Sequence, residues 1–312
     1  MVRGPRGGRS PDRGGDQNTG AAWATGECGE HSRLVPSVRV RAGFSLLELL
    51  VALTLASLVL SAVVSVLVGV IRGYGREVAR IEASQTLREV LAVLLSELRE
   101  LDPAGGDLLT LSDTSVTYLG ARNIYFLCRP PAADERGVSL TAATWVGLQP
   151  LDPETQLFRL YAPGSPFTSD DDAWLPATGA GGVGPAVCPG GPGLWLPLDG
   201  PSPDAWSRVP DGAPLRGYRV TRLESYRDAE GVAWLGAQTR DGWSGAWNGR
   251  QPITGPLTEH GLEFTYFAAD GRRTSRPDSV ARILVSVTVR AARAPVTAHL
   301  STNVAPRNRA VP

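Results

Sequence analysis

Residues 41–53 read Arg41-Ala42-Gly43-Phe44-Ser45-Leu46-Leu47-Glu48-Leu49-Leu50-Val51-Ala52-Leu53, and the apolar run that they open decides the fold. From Leu49 to Ile71 no residue carries a formal charge over 23 positions, LLVALTLASLVLSAVVSVLVGVI. At a rise of about 1.5 Å per residue such a helix spans a hydrocarbon core of about 30 Å. One transmembrane helix over residues 44–71 is therefore predicted. Glu48 breaks the pattern, because a carboxylate in an apolar run costs up to about 2.5–3.5 kcal/mol at the centre of the span. It calls for a partner. A free amine one helical turn before Glu48, on the same helix face, would supply one, the two charges neutralising each other.

Outward from this stretch, Arg33, Arg39 and Arg41 lie before the span with no acidic residue after Glu30, which places the N-terminus in the cytoplasm by the positive-inside rule. Arg72, Arg76 and Arg80 behind the span count in the opposite sense. Residues 1 to about 32 are rich in Gly, Arg and Asp and have no apolar periodicity, so residues 1–43 read as a leader without a packed core.

The stretch from Arg41 to Leu53 resembles the cleavage and methylation signature of type IV prepilins and type II secretion pseudopilins. The shared features are a basic leader, glycine before the cut, phenylalanine after it, glutamate at the fifth mature position and an unbroken apolar helix. The resemblance implies cleavage between Gly43 and Phe44 by a prepilin peptidase and N-methylation of Phe44. It also implies that Glu48 sets the register of an incoming subunit against the amine of its neighbour. Leaders in this family are usually shorter, and Met1 is the only methionine, so a start nearer Leu34 or Val35 is expected. Residues 261–271, the run from Val280 to Val289 and the closing Val304-Ala305-Pro306-Arg307-Asn308 resemble the C-terminal strands of J-type pseudopilins and W-type minor pilins.

Beyond the span the apolar pattern becomes one-sided. Val78, Ile81, Leu87, Leu91, Leu94, Leu95, Leu98 and Leu101 recur three or four residues apart among Arg and Glu, which predicts an amphipathic helix over 72–102. Asp102, Pro103, Gly105 and Gly106 stop it. Gly69, Gly73 and Gly75 mark the expected weak point, each costing about 1 kcal/mol relative to alanine. From 103 to 312 period-two segments follow: SVTYLG, NIYFLC, QLFRLYA, YRVTRLESY, VAWLGAQ, LEFTYFAA, RILVSVTVR and VTAHLSTNV. The expected fold class is α+β, a long N-terminal helix and an antiparallel β-sheet head. Asp270-Gly271 marks a turn before the last strands. Residues 162–216 carry so much proline and glycine that they read as an irregular insertion.

Acidic and basic residues balance at 31 each, with no lysine, so no basic excess points to nucleic acid and such a partner is not expected. Cys128 and Cys188 form an even pair beyond the cut and can bridge in an oxidising compartment, pinning the insertion to the strand ending at Cys128. Gly179-Ala180-Gly181-Gly182-Val183-Gly184 fits GxGxxG but has Pro176 and Pro185 in place of the flanking strand and helix that a phosphate loop needs. Asp170, Asp171 and Asp172 lack the spacing of a calcium loop. His31, His260 and His299 are scattered, and Gly242-Trp243-Ser244-Gly245 is not a nucleophile elbow. No metal, cofactor or enzymatic activity is expected. Trp174, Trp195, Trp206, Trp243 and Trp247 fall in loop-like sequence and offer either core or binding surface.

The expected function is assembly, as a minor pilin or pseudopilin processed by prepilin peptidase. It would sit in a bacterial inner membrane with its head periplasmic, then join a type IV pilus or type II secretion pseudopilus through its helix. The rival reading is an uncleaved, single-pass, membrane-anchored periplasmic binding module.

Overall fold

The computed structural model describes residues 45–132, 135–147, 149–164, 172–242, 245–292 and 295–307. The proposed leader, Gly43 and Phe44 lie outside them. Two compact units divide the chain, Met1–Ser61 and Ala62–Pro312. Helix α1 (Leu46–Arg99) gives its first turns to one and the remainder to the other. It runs through Gly69, Gly73 and Gly75 without the break expected there, since the hydrogen bonds of the long flanking segments outweigh the propensity cost.

In the larger unit α1 buries Ala79, Ala83, Leu87, Val90, Leu91, Leu94 and Leu98. The packed face therefore begins on alanines rather than on Val78 and Ile81, the latter 52% exposed. Small residues let the helix approach the sheet closely before the leucine rows take over. The helix stops at Arg99, where Arg307 donates its backbone N–H to the orphan Arg99 carbonyl at 2.8 Å. Beyond it Asp102 accepts from the Gly105 N–H at 3.0 Å in the turn that leads to the first strand.

All strand pairs are antiparallel, and they form two structures that share two strands. The shared pair is β2 (Ser115–Leu127) and β8 (Pro214–Arg227), hydrogen-bonded along nearly their whole length. On one side of it lie β1 (Leu108–Leu111), β9 (Ala233–Arg240), β10 (Gln251–Phe267), β11 (Arg282–Arg290) and β12 (Thr297–Val304), in the order β1-β2-β8-β9-β10-β11-β12. Leu94, Leu98, Tyr118, Leu223, Phe264, Ile283 and Val287 belong to the core between this sheet and α1. Asp270-Gly271 lies in the predicted turn, where Gly271 has φ 79°, accessible to glycine at little cost.

In the stretch expected to be an irregular insertion about half of the described residues are strand, which corrects that expectation. β3 (Gly137–Gly147), β4 (Leu157–Ala162), β5 (Ala173–Gly179), β6 (Gly184–Cys188) and β7 (Gly191–Asp199) join the shared pair. The order β2-β3-β7-β5-β4-β8 closes on itself through the β2–β8 ladder, making a six-stranded barrel. Leu127, Leu140, Leu160, Leu196, Leu198 and Leu215 fill it, as side chains must in so narrow a barrel. The short helix α2 (Pro203–Trp206) delivers Trp206, 4% exposed, into the same core. Pro185 is tolerated because β6 pairs only with β7 and lies off the ring.

Candidate functional site

The start of α1 is built by a reciprocal cap. The Ser45 hydroxyl accepts the Glu48 N–H at 3.2 Å, and the Glu48 carboxylate accepts the Ser45 N–H at 3.3 Å. This is the capping box encoded by Ser45-Leu46-Leu47-Glu48, which satisfies two helix-end donors and sets a negative charge on the positive end of the helix dipole. Pairing of Glu48 with a chain-terminal amine leaves Ser45 without a role, although the S-x-x-E spacing in the sequence signals this cap.

From Leu46 onward the apolar side chains are solvent-facing: Leu46 is 81% exposed, Leu58 67% and Val66 67%. Among the described residues α1 is one helix long and apolar enough to cross a membrane by length and composition. The apolar surface near its start and the capped carboxylate at that start are the two halves of the site.

Where α1 meets the sheet, a polar lock fixes it. Glu97 takes a two-pronged contact from Arg122, both at 3.0 Å, and accepts the Tyr118 hydroxyl at 2.7 Å. Arg122 stands at the β2 bulge between Ala121 and Asn123, which turns its side chain into this position. Burial, with Glu97 beside it, pushes the Tyr118 hydroxyl well above its ordinary range. Burial alone would lower the Arg122 guanidinium, but hydrogen bonding to Glu97 and its charge outweigh that and leave it raised. A second pair, Arg159 and Asp107 at 2.8 Å, ties β4 to the turn after α1, and burial raises the Asp107 carboxyl despite the arginine.

Cys128 and Cys188 are bonded, with their Cα atoms 5.5 Å apart. The bridge joins the end of β2 to the end of β6 beside the barrel. The other sequence candidates fall apart as sites. The glycine run 179–184 connects β5 to β6, strand to strand, with no helix after it. Asp172 accepts from the Tyr161 hydroxyl at 2.7 Å and the Gly164 N–H at 3.0 Å, while Asp170 and Asp171 lie outside the described residues. His299 shares hydrogen bonds with Thr288 and Ser301 on the outer sheet, and His260 lies on β10. Among the described residues no three His, Cys, Asp or Glu side chains gather as a metal site. Trp174 and Trp195 stand on strands rather than loops, Trp206 is core, and Trp247 is half-buried under the Arg222 guanidinium at 4.3 Å. Trp243 and Ser244 lie outside the described residues.

Residues 38–64 match the family model of the prokaryotic N-terminal methylation motif, a span that includes Gly43, Phe44, Ser45 and Glu48. The match supports a type IV prepilin-like chain. No curated protein and no solved structure matches the chain.

Proposed function

We propose that this protein is a minor pilin or pseudopilin, cut by prepilin peptidase between Gly43 and Phe44 and assembled through α1 into a type IV pilus or a type II secretion pseudopilus. The methylation motif over residues 38–64, continuous with an exposed apolar helix, carries the reading. The N-terminus is cytoplasmic before assembly, the helix crosses the inner membrane once, and the head lies in the periplasm. No chemistry is catalysed; the partners are the peptidase, the membrane and neighbouring pilin helices.

Glu48 supplies the assembly chemistry. Its carboxylate caps its own helix and lies one turn from the amine that cleavage creates, so it can neutralise that amine in its own chain or in a packed neighbour. A small head suits a subunit repeated densely along a fibre, and this head carries a barrel in addition to its sheet, which favours the minor role.

Membrane-extracted protein, expressed with and without a prepilin peptidase, is expected to show an N-terminus at Phe44, one methyl group heavier, only when the peptidase is present. An unchanged leader in both samples identifies an uncleaved, membrane-anchored binding module instead. Glu48→Ala is expected to be cleaved normally yet enter filaments at roughly a tenth of the wild-type level or less, the loss of one unscreened charge contact. Wild-type incorporation of the variant refutes the charge pairing while leaving the processing result intact.

A further inference from the structure

Ring closure sorts the barrel residues into two sets, and the outward set on one wall has an unusual chemistry. Interior and exterior positions alternate along each strand, so Phe158 and Leu160 inside β4 leave Arg159 and Tyr161 outside. Register aligns the outward residues into two neighbouring rows. Trp174 of β5 lies opposite Tyr161, and one step beyond the Leu160–Leu215 pair Pro214 lies opposite Phe126. In the adjacent row Arg159 faces Arg216, which faces Ile124, which faces Val146. Phe126 is 37% exposed and Val146 67%. The Tyr161 and Trp174 rings are 5.3 Å apart, and the Arg216 guanidinium lies 4.1 Å over the Trp174 ring.

The two arginines differ in what they have left to offer. Arg159 is engaged by Asp107 and stacked on Tyr218. Arg216 forms no ion pair with any described residue. Its stacking on Trp174 holds the planar guanidinium in place without neutralising it. A nucleic-acid strand needs repeated cations along its phosphates, and this wall offers one. Rings, proline and aliphatic side chains around a single preorganised arginine match instead the centre of a protein–protein interface, where Trp, Tyr and Arg dominate.

We propose that the β5-β4-β8-β2-β3 wall of the barrel binds a segment of a partner protein that presents a carboxylate to Arg216 between apolar side chains. The inference takes from the proposed function only that the head is displayed to partners. Peptide binding by the purified chain does not depend on processing, so the two readings fail separately.

The test titrates full-length protein in detergent with three fluorescent probes. These are a short peptide alternating aspartate with leucine and phenylalanine, its lysine-for-aspartate counterpart, and a single-stranded oligonucleotide. The acidic peptide is expected to bind about tenfold tighter than the basic one, the scale of one charge-assisted contact. Arg216→Glu is expected to reverse that order, and Arg216→Gln to abolish it with the melting temperature kept. Absent binding of the acidic peptide, equal binding of the two peptides, an order unmoved by Arg216→Glu, or tighter binding of the oligonucleotide would each overturn the assignment.

Discussion

Replacing Cys128 and Cys188 together by alanine is expected to lower the stability of the barrel by about 4 kcal/mol. The bridge spans a sequence separation of 60 residues, and in the chain-entropy model a loop of that length restricts the unfolded chain by about that much. Denaturant unfolding of the double variant beside the oxidised parent reads the difference directly. The loss should be felt first in the barrel, because the bridge ties the barrel end of β2 to β6, a strand outside the sheet that packs on α1. Limited proteolysis is therefore expected to cut the variant within 129–213 while β10 to β12 stay protected. A loss below about 1 kcal/mol would show that the hydrophobic core of the barrel, Trp206 included, holds its shape without the bridge, and equal cleavage in both regions would show that barrel and sheet open together.

Glu97→Ala is expected to cost about 3 kcal/mol. The substitution strands Arg122, whose side chain is 12% exposed, and the fully buried Tyr118, whose hydroxyl loses its acceptor. Breaking a buried pair at one end leaves an uncompensated charge, which is why the cost exceeds that of an ordinary surface pair. Removing both ends relieves the charge but not the Tyr118 hydroxyl, so Glu97→Leu combined with Arg122→Leu is expected to recover part of the loss. A double-mutant cycle read by thermal or urea unfolding checks this. Additive single effects would mean that the two side chains do not act as a unit.

The helix was largely legible from residues 41–101, because its signals are local, an uncharged run and a leucine period; the cap of Ser45 on Glu48 was not read, although its S-x-x-E spacing is just as local. Segments such as LEFTYFAA and RILVSVTVR were legible for the same reason, since period-two alternation reports a strand with one buried face. The barrel was not. Pro176, Pro185, Pro192 and Pro197 mask β5, β6 and β7 when the residues are read singly, and what makes them strands is pairing, of β7 with the distant β3 and of β5 and β6 with their neighbours β4 and β7. The parity of Cys128 and Cys188 showed that two residues could be joined, but not that the intervening chain closes a ring. The alanines at 79 and 83 escaped because a small residue on a packed face carries almost no hydropathy signal.

The double membership of β2 and β8 also governs how the chain reaches its native state. These strands are far apart in sequence, with Leu127 before and Pro214 after the whole of β3 to β7, and their ladder must form before either core is complete. Loop-closure entropy therefore precedes the reward of burial, which puts the head among high-contact-order proteins that fold slowly. Nor can the barrel be excised as an autonomous module: removing residues 129–213 would leave β2 and β8 with their distal halves stripped of the core that they enclose. Sheet and barrel meet in one ribbon, and each core is complete only when that ribbon is formed.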